Sequence, residues 1–380
     1  MISPESETAL ASIIKTSRTP FKVQGGGTRP IGTTSATSIL STSGLKGVEL
    51  YEPGALTIVA KAGTPLAEVE HVLAAEGQRL AFEPMDHRGL LGTDGTPTIG
   101  GVVAGNVSGP RRIQVGACRD FLLGVRFVDG QGNIVKNGGR VMKNVTGYDL
   151  VKLMAGSFGT LGVLTEVSLK VLPKPKSTGV LLLEGLSDEQ AIQALSKALG
   201  SPFDVSGAVH VTKGLDGSPV TMIRLEGFEN SVEYRADKLG KLLDQFGNFS
   251  LETDADKTAA GWKWVRDVVP FQGREGDIWR LSVKPTDAPG VVDSLGDTEA
   301  LYDWGGGLVW LFVPKNSKIS ASDIRHAVSH VGGHATLIRG NAETQTFQPL
   351  PETLEVLQAG LRRQFDPQGL FNPGLMGAKK

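Results

Sequence analysis

The sequence predicts an α+β protein: a glycine-rich first part that binds a ligand through its backbone, then a smaller α+β domain. Three observations predict it. Glycine is concentrated in three distant clusters, Gln24-Gly25-Gly26-Gly27-Thr28, Thr98-Ile99-Gly100-Gly101-Val102-Val103-Ala104-Gly105-Asn106 and Gly156-Ser157-Phe158-Gly159-Thr160-Leu161-Gly162. Of 50 glycines, 26 lie between Gly25 and Gly162, so the special backbone demand belongs to the first part. Glycine weakens helix and strand interiors by roughly 0.5–1 kcal/mol, and that loss is tolerated where amides must approach a phosphate-bearing ligand. Beyond Pro173-Lys174-Pro175-Lys176, a candidate linker, helical and strand-like stretches alternate with less glycine.

The elements follow in order. Ser3-Pro4 is expected to open the first helix, with serine as N-cap and proline at the first helical position, and the helix to end near Ser17. Phe21-Lys22-Val23 reads as a strand running into the first cluster. Val48 to Tyr51 and Leu56 to Ala60 read as strands around a Pro53-Gly54 turn. Thr64-Pro65 opens a helix with an apolar stripe at Leu66, Val69, Val72 and Leu73. Residues 83–98 read as loop. Phe121 to Val128 and Asn133 to Lys136 form a hairpin around Asp129-Gly130-Gln131-Gly132. Val163 to Leu172 is a further strand. In the second part, helices are expected at 187–199 and 231–246, strands at 180–183, 221–225, 278–283 and 308–313, and a last helix at 352–364.

Composition excludes several functions. Lys+Arg 39 against Asp+Glu 40 leaves no basic stripe, so no nucleic-acid partner is expected. No apolar run has the roughly 18 residues of a membrane span, and no secretory signal is visible, which points to the cytoplasm. Cys118 is the single cysteine, so neither a disulfide within the chain nor a cysteine-ligated cluster can form. No metal site is expected: His326, His330 and His334 are spaced by four, but Gly332-Gly333 should end a helix before His334.

No G-x-x-x-x-G-K-[ST] and no opening G-x-G-x-x-G turn occurs, so common nucleotide loops do not explain the clusters. In order, Gly-Gly-Gly-Thr, Thr-Ile-Gly-Gly-x-x-Ala-x-Asn, Gly116-Ala117-Cys118-Arg119-Asp120, Gly147-Tyr148-Asp149-Leu150, Gly-Ser-x-Gly-Thr-Leu-Gly and the C-terminal Phe365-Asp366-Pro367 and Phe371-Asn372-Pro373-Gly374 resemble the FAD-binding domain of the vanillyl-alcohol oxidase / p-cresol methylhydroxylase superfamily. The resemblance implies a two-lobed PCMH-type FAD domain over 1–175, a short α+β cap over 176–345, and a segment over 346–380 returning to the FAD domain. It implies that Gly25, Gly26, Gly27 and Thr28 hold the pyrophosphate, and that Thr98, Gly100, Gly101 and Asn106 continue this cradle. Gly159, Thr160, Gly162 and Val163 would lie on the adenosine or flavin side. Gly116, Arg119 and Asp120 would join the site, or Arg119 and Asp120 would form an ion pair shaping a turn. A glutamate at Gly26 is expected to displace the pyrophosphate. FAD is expected to be noncovalent, because no histidine or cysteine follows the first cluster or stands in the second. Cys118 reads as a packed residue.

The second part lacks the His-x-Gly-Asp-Gly-Asn pattern of hydroxy-acid oxidising members, and no catalytic residue is assigned. Arg280 and Arg339 read as solvent-facing strand arginines, a bidentate carboxylate clamp being the alternative. The short cap and Gly332-Gly333-His334-Ala335-Thr336-Leu337 resemble the GlcE-type family of bacterial glycolate oxidase components. That resemblance implies an FAD-bearing subunit of a complex oxidising glycolate, a 2-hydroxy acid, to glyoxylate with electrons passed to an acceptor other than NAD. Its partners would be a sister FAD hydroxy-acid dehydrogenase subunit and an iron–sulfur subunit, with attachment at the inner membrane through the complex. A self-sufficient FAD alcohol or sugar oxidoreductase, and an assembly subunit that keeps the fold without catalysis, are the alternatives.

Overall fold

The structure is a computed structural model describing residues 1–140 and 147–377. The first part is built on a five-stranded antiparallel sheet in the order Val48–Glu52, Thr57–Lys61, Val163–Lys170, Leu122–Val128, Ile134–Gly138. Beside it stands a small parallel pair, Phe21–Gln24 with Ser38–Ser41. The first helix is Glu7–Thr16, starting later than Ser3-Pro4 suggests. Ser6 is its N-cap, accepting the Ala9 N–H at 3.2 Å. Leu10 and Ile14 on its inner face bury against Leu40, Val128 and Phe371.

Pro173 to Lys176 is not a free linker. Leu172–Pro173 pairs with Gln78–Arg79, and the Lys174 N–H donates to the Gly77 carbonyl at 2.7 Å. The next strand begins at Ser177.

The second sheet has eight antiparallel strands. Their order is Ser250–Glu252, Ser177–Glu184, Val220–Gly227, Val205–Val211, Glu299–Asp303, Leu308–Pro314, Gly276–Ser282, His334–Arg339. Val205–Val211 and Glu299–Asp303 escaped sequence reading. Both are buried almost throughout, so neither shows the alternation of a strand with one wet face. Side chains alternate across the sheet. Val309, Leu311 and Val313 pack against helices Asp188–Leu199, Glu229–Leu242, Ala288–Leu295 and Ala321–His330. Leu308, Trp310 and Phe312 point the other way, into a core shared with Val103, Phe121 and Leu164 of the first part. One sheet therefore carries two cores, and its inner face is the floor on which the glycine-rich part sits.

His210 is fully buried, with Nδ1 bonded to Thr221 at 2.9 Å and Nε2 to Asp188 at 3.2 Å. The helix carrying His326 and His330 ends there, and His334 begins the last strand, as the glycine pair suggests.

The C-terminal segment folds back on the first part. The Asp366 carboxylate accepts the Leu370 and Phe371 N–H groups at 2.9 and 2.8 Å, fixing the turn after helix Glu352–Phe365. The Phe21 N–H then donates to the Leu370 carbonyl, and the Asn372 N–H to the Phe21 carbonyl.

Candidate flavin site

A cleft of about 1220 Å³, its open mouth included, runs between the small parallel sheet and the helix Ile99–Ala104. Strand Phe21–Gln24 delivers Gly25 to Thr28 to one wall, and Phe158, Gly159, Gly162 and Asn372 close the end. The Asn372 amide ties this end together: Oδ1 accepts the Val23 N–H at 2.8 Å and Nδ2 donates to the Phe158 carbonyl at 2.9 Å. Three segments far apart in sequence meet at one side chain.

The first glycine cluster differs from the second in its free donors. The amides of Gly25, Gly26, Gly27 and Thr28 find no acceptor among the described residues. Gly27 has φ +73°, and consecutive unpaired amides in such a turn form an anion-binding concavity. Gly26 is required for another reason. Its Cβ would overlap the Thr96 carbonyl oxygen, so a glutamate there would break the contact between two loops rather than simply face a ligand.

In the second cluster the donors are already paired. Ile99 N–H donates to the Thr64 carbonyl at 3.0 Å, Gly100 N–H to Ala62 at 2.8 Å, and Gly101 N–H to Thr98 Oγ1 at 3.3 Å. Thr98 is the helix N-cap, and Gly100 lets the helix lie on Ala62, whose Cβ would stand 2.6 Å from an added Cβ. Gly100 and Gly101 thus shape the cleft wall and offer it no amides, and Thr98 stands beside them as the cap that takes the Gly101 N–H.

Gly159 and Gly162 also line the cleft. Six expected residues do not. Val163 is fully buried beside Leu10 and Ile14. Thr160 is buried with its hydroxyl on the Ser157 carbonyl at 2.7 Å. Asn106 accepts the Arg119 N–H at 2.9 Å. Gly116 adopts φ +97° beside Asp120, whose carboxylate accepts the Ala117 N–H at 2.8 Å. Arg119 and Asp120 are about half exposed, with their charged groups 3.8 Å apart, matching the turn-shaping reading. Cys118 is fully buried, and burial pushes its thiol pKa up.

Two cleft residues were missed. Arg29 Nη2 donates to the Gly101 carbonyl at 2.6 Å, and no carboxylate pairs with it among the described residues. Burial pushes its pKa down to about 10. His87 also lines the cleft, and burial, then Arg29, pushes its pKa down to about 3, so the imidazole is neutral. Each follows or interrupts a loop without a helical or strand period, so pattern alone gave no signal.

An ionic network ties loops of the first part to the eight-stranded sheet. Glu83 receives Arg224 through two bonds of 3.1 Å and Arg111 at 2.9 Å. Glu226 receives Arg111 through bonds of 2.8 and 2.9 Å and Arg79 at 2.9 Å. Burial raises the pKa of each carboxyl, but the arginines outweigh it and hold both below the ordinary range.

Arg339 is not solvent-facing. Its guanidinium donates to the carbonyls of Leu90 at 2.8 Å and Arg274 at 2.5 Å, leaving it no role as a clamp. Arg280 is half-buried on the sheet face turned toward the first part.

These features fit FAD: free amides and an unpaired cation in one cleft suit a pyrophosphate, and glycine surfaces suit a flat ring system. The fold and site define the class, an FAD-dependent oxidoreductase. A family model described as "FAD binding domain" matches residues 1–138. The chain is 38% identical to glycolate oxidase subunit GlcE of Escherichia coli over 95% of this chain and 94% of that protein. It is 28% identical to glycolate oxidase subunit GlcD of Bacillus subtilis over 97% of this chain and 86% of that one. An alkyldihydroxyacetonephosphate synthase structure superposes with a TM-score of 0.69, covering 98% of this chain and 75% of its own, at 16% identity, a likeness of fold. The chain belongs to the GlcE family of glycolate oxidase subunits. Among the described residues no helix is long and apolar enough to cross a membrane.

Proposed function

We propose that this chain is the FAD-carrying subunit of a multi-subunit complex that oxidises glycolate to glyoxylate and passes the electrons to an acceptor other than NAD. The observation that carries the reading is the row of unpaired amides from Gly25 to Thr28 beside Arg29, a buried cation with no carboxylate partner among the described residues. In this reading these groups hold the pyrophosphate of noncovalent FAD. Gly100, Gly101, Gly159 and Gly162 let the cofactor lie flat, Thr98 and Asn372 brace the loops, and neutral His87 faces the ring system. Bound FAD supplies the redox chemistry.

The subunit role has its own support. Leu354, Leu357 and Leu361 stand 49%, 60% and 42% exposed on one stripe of helix Glu352–Phe365, and a covering sister subunit accounts for them. The single cysteine supports an iron–sulfur partner as the next electron carrier.

Purification alone and with its partners tests the reading. The chain alone should be yellow, release FAD on denaturation and fail to turn over glycolate. The complex should turn it over. Full turnover by the chain alone would sink the dependent-subunit reading, flavin that stays with the denatured chain would sink noncovalent binding, and a colourless chain that cannot be reloaded would sink the flavin site.

A further inference from the structure

Helix Glu352–Phe365 inverts the usual order of a surface helix. No residue of it is fully buried, and the half-buried side chains that face the body are Gln358, Arg362 and Phe365. Phe365 meets the Phe127 ring at 6.1 Å. Leu354, Leu357 and Leu361 stand about half exposed on the next stripe, and Leu350, 37% exposed, extends their line ahead of the helix. A surface helix ordinarily buries its leucines and shows its arginine and glutamine to water. Four leucines in one row form a patch, unlike the single apolar residues scattered over an ordinary surface.

The polar inner stripe is tied to the flavin cleft. Arg362 Nη1 donates to the Leu375 carbonyl at 2.6 Å, and Nη2 to the carbonyls of Phe371 at 2.9 Å and Asn372 at 3.0 Å. Gln358 Nε2 donates to the Met376 carbonyl. These carbonyls belong to one strap, residues 371–376, and two of its residues, Asn372 and Leu375, line the cleft. The strap's other side meets the cleft wall. The Pro373 carbonyl accepts the Thr34 hydroxyl at 2.9 Å and the Ser35 N–H at 3.2 Å. Leu375 lies so close to Gly32 that a Cβ there would stand 2.4 Å from its Cδ1. Gly32 and Thr34 line the cleft as well. One guanidinium holding three strap carbonyls therefore joins the leucine-bearing helix to the cofactor site.

We propose that the leucine stripe is the docking face for the sister FAD subunit, and that docking there tightens FAD in this chain by holding the strap through Arg362 and Gln358. The inference rests on the proposed complex and deepens it, assigning the contact and the control it exerts on the flavin site. The GlcD relative aligns over 97% of this chain, a span that takes in helix Glu352–Phe365, so a sister of that type carries a counterpart of the helix. Two equivalent helices packed side by side make a pseudo-two-fold contact, the hetero form of an isologous interface. With no buried residue of its own, the helix has little packing to hold it on the body, and covering the leucines supplies it. The coupling is reciprocal, so FAD in the cleft strengthens docking by the same factor.

The test measures the affinity of the purified sister subunit for this chain by biolayer interferometry, with the chain apo and FAD-loaded. The loaded chain is expected to bind roughly fivefold more tightly, or better. Leu357→Lys should weaken docking about tenfold or more in both forms, with the FAD content and unfolding temperature of the free chain unchanged. Arg362→Gln should keep docking and bring the loaded-to-apo ratio close to one, and Arg362→Lys should restore part of that ratio. Full affinity in Leu357→Lys would overturn the docking face. So would self-association of the wild-type chain that Leu357→Lys abolishes, or a loss in Leu357→Lys confined to the iron–sulfur subunit. Equal affinity of apo and loaded chain, or a ratio that survives Arg362→Gln, would overturn the coupling. A wild-type chain that binds no sister subunit and yields no glycolate-oxidising complex would bring down the complex reading itself, an outcome distinct from docking that ignores the leucines.

Discussion

Glu226→Gln is the sharpest perturbation of the contact between the first part and the eight-stranded sheet. The Glu226 side chain is 6% exposed and that of Arg224 is 1% exposed. The network holds three guanidiniums, Arg79, Arg111 and Arg224, against two carboxylates, Glu83 and Glu226. Glutamine keeps the shape and removes one negative charge, leaving buried Arg224 and the partly buried Arg79 and Arg111 with Glu83 as the one remaining carboxylate of the network. Breaking a buried pair in this way costs about 3–5 kcal/mol. At about 2 °C per kcal/mol for a domain of this size, the unfolding temperature should fall by roughly 6–10 °C. Thermal unfolding followed by circular dichroism at pH 7.5 measures it. The pH dependence gives a second check. The folded-state pKa of Glu226 lies below its ordinary value of 4.5, so its contribution is fully present above that value and is lost as pH falls toward the folded one. The gap between wild type and variant should therefore narrow below about pH 4.5. Adding Arg79→Met to the variant should restore part of the loss, because it removes one unmatched cation. A fall of less than about 2 °C, or a gap that does not change with pH, would refute the reasoning.

Three further outcomes are expected. Gly27→Ala should strain a residue at φ +73° by about 1–2 kcal/mol and weaken FAD binding in equilibrium dialysis, while Gly26→Ala should destroy the loop contact and yield no FAD-binding protein; equal behaviour of the two would contradict their separate roles. Asn372→Ala should leave the Val23 amide and the Phe158 carbonyl unpaired, lowering stability by about 2–4 kcal/mol and loosening FAD, as read by unfolding and by FAD release. Asp303 has its folded pKa raised to about 7 by burial, so its favourable contribution belongs to low pH and is lost as pH rises from about 4 to 7. Relative to Asp303→Asn, wild-type stability should decline across that range by up to about 4 kcal/mol, and parallel stability curves would count against it.

The sequence by itself determined the local features that need only neighbours along the chain. The glycine turn after strand Phe21–Gln24, the amphipathic helix after Pro65 and the hairpin around Asp129 all follow from backbone sterics or short periods. The ordered motifs pointed to the cofactor class through the family resemblance they carry; glycine at Gly25 to Gly27 by itself marks only where a backbone approaches an anion. What the tertiary structure decided is which donors stay free. The amides of Ile99, Gly100 and Gly101 look like a cradle in sequence but are taken by Thr64, Ala62 and Thr98. Strand Val205–Val211 hid because burial on both faces erases the alternation by which strands are recognised. Arg280 is one strand arginine among several in the sequence. Only the folding of one sheet between two cores turns it away from water, sets Arg112 across Trp304 from the other part of the chain, and denies both a carboxylate. Charge pairing is a property of three-dimensional neighbours, and residues 112, 280 and 304 become neighbours only in the fold.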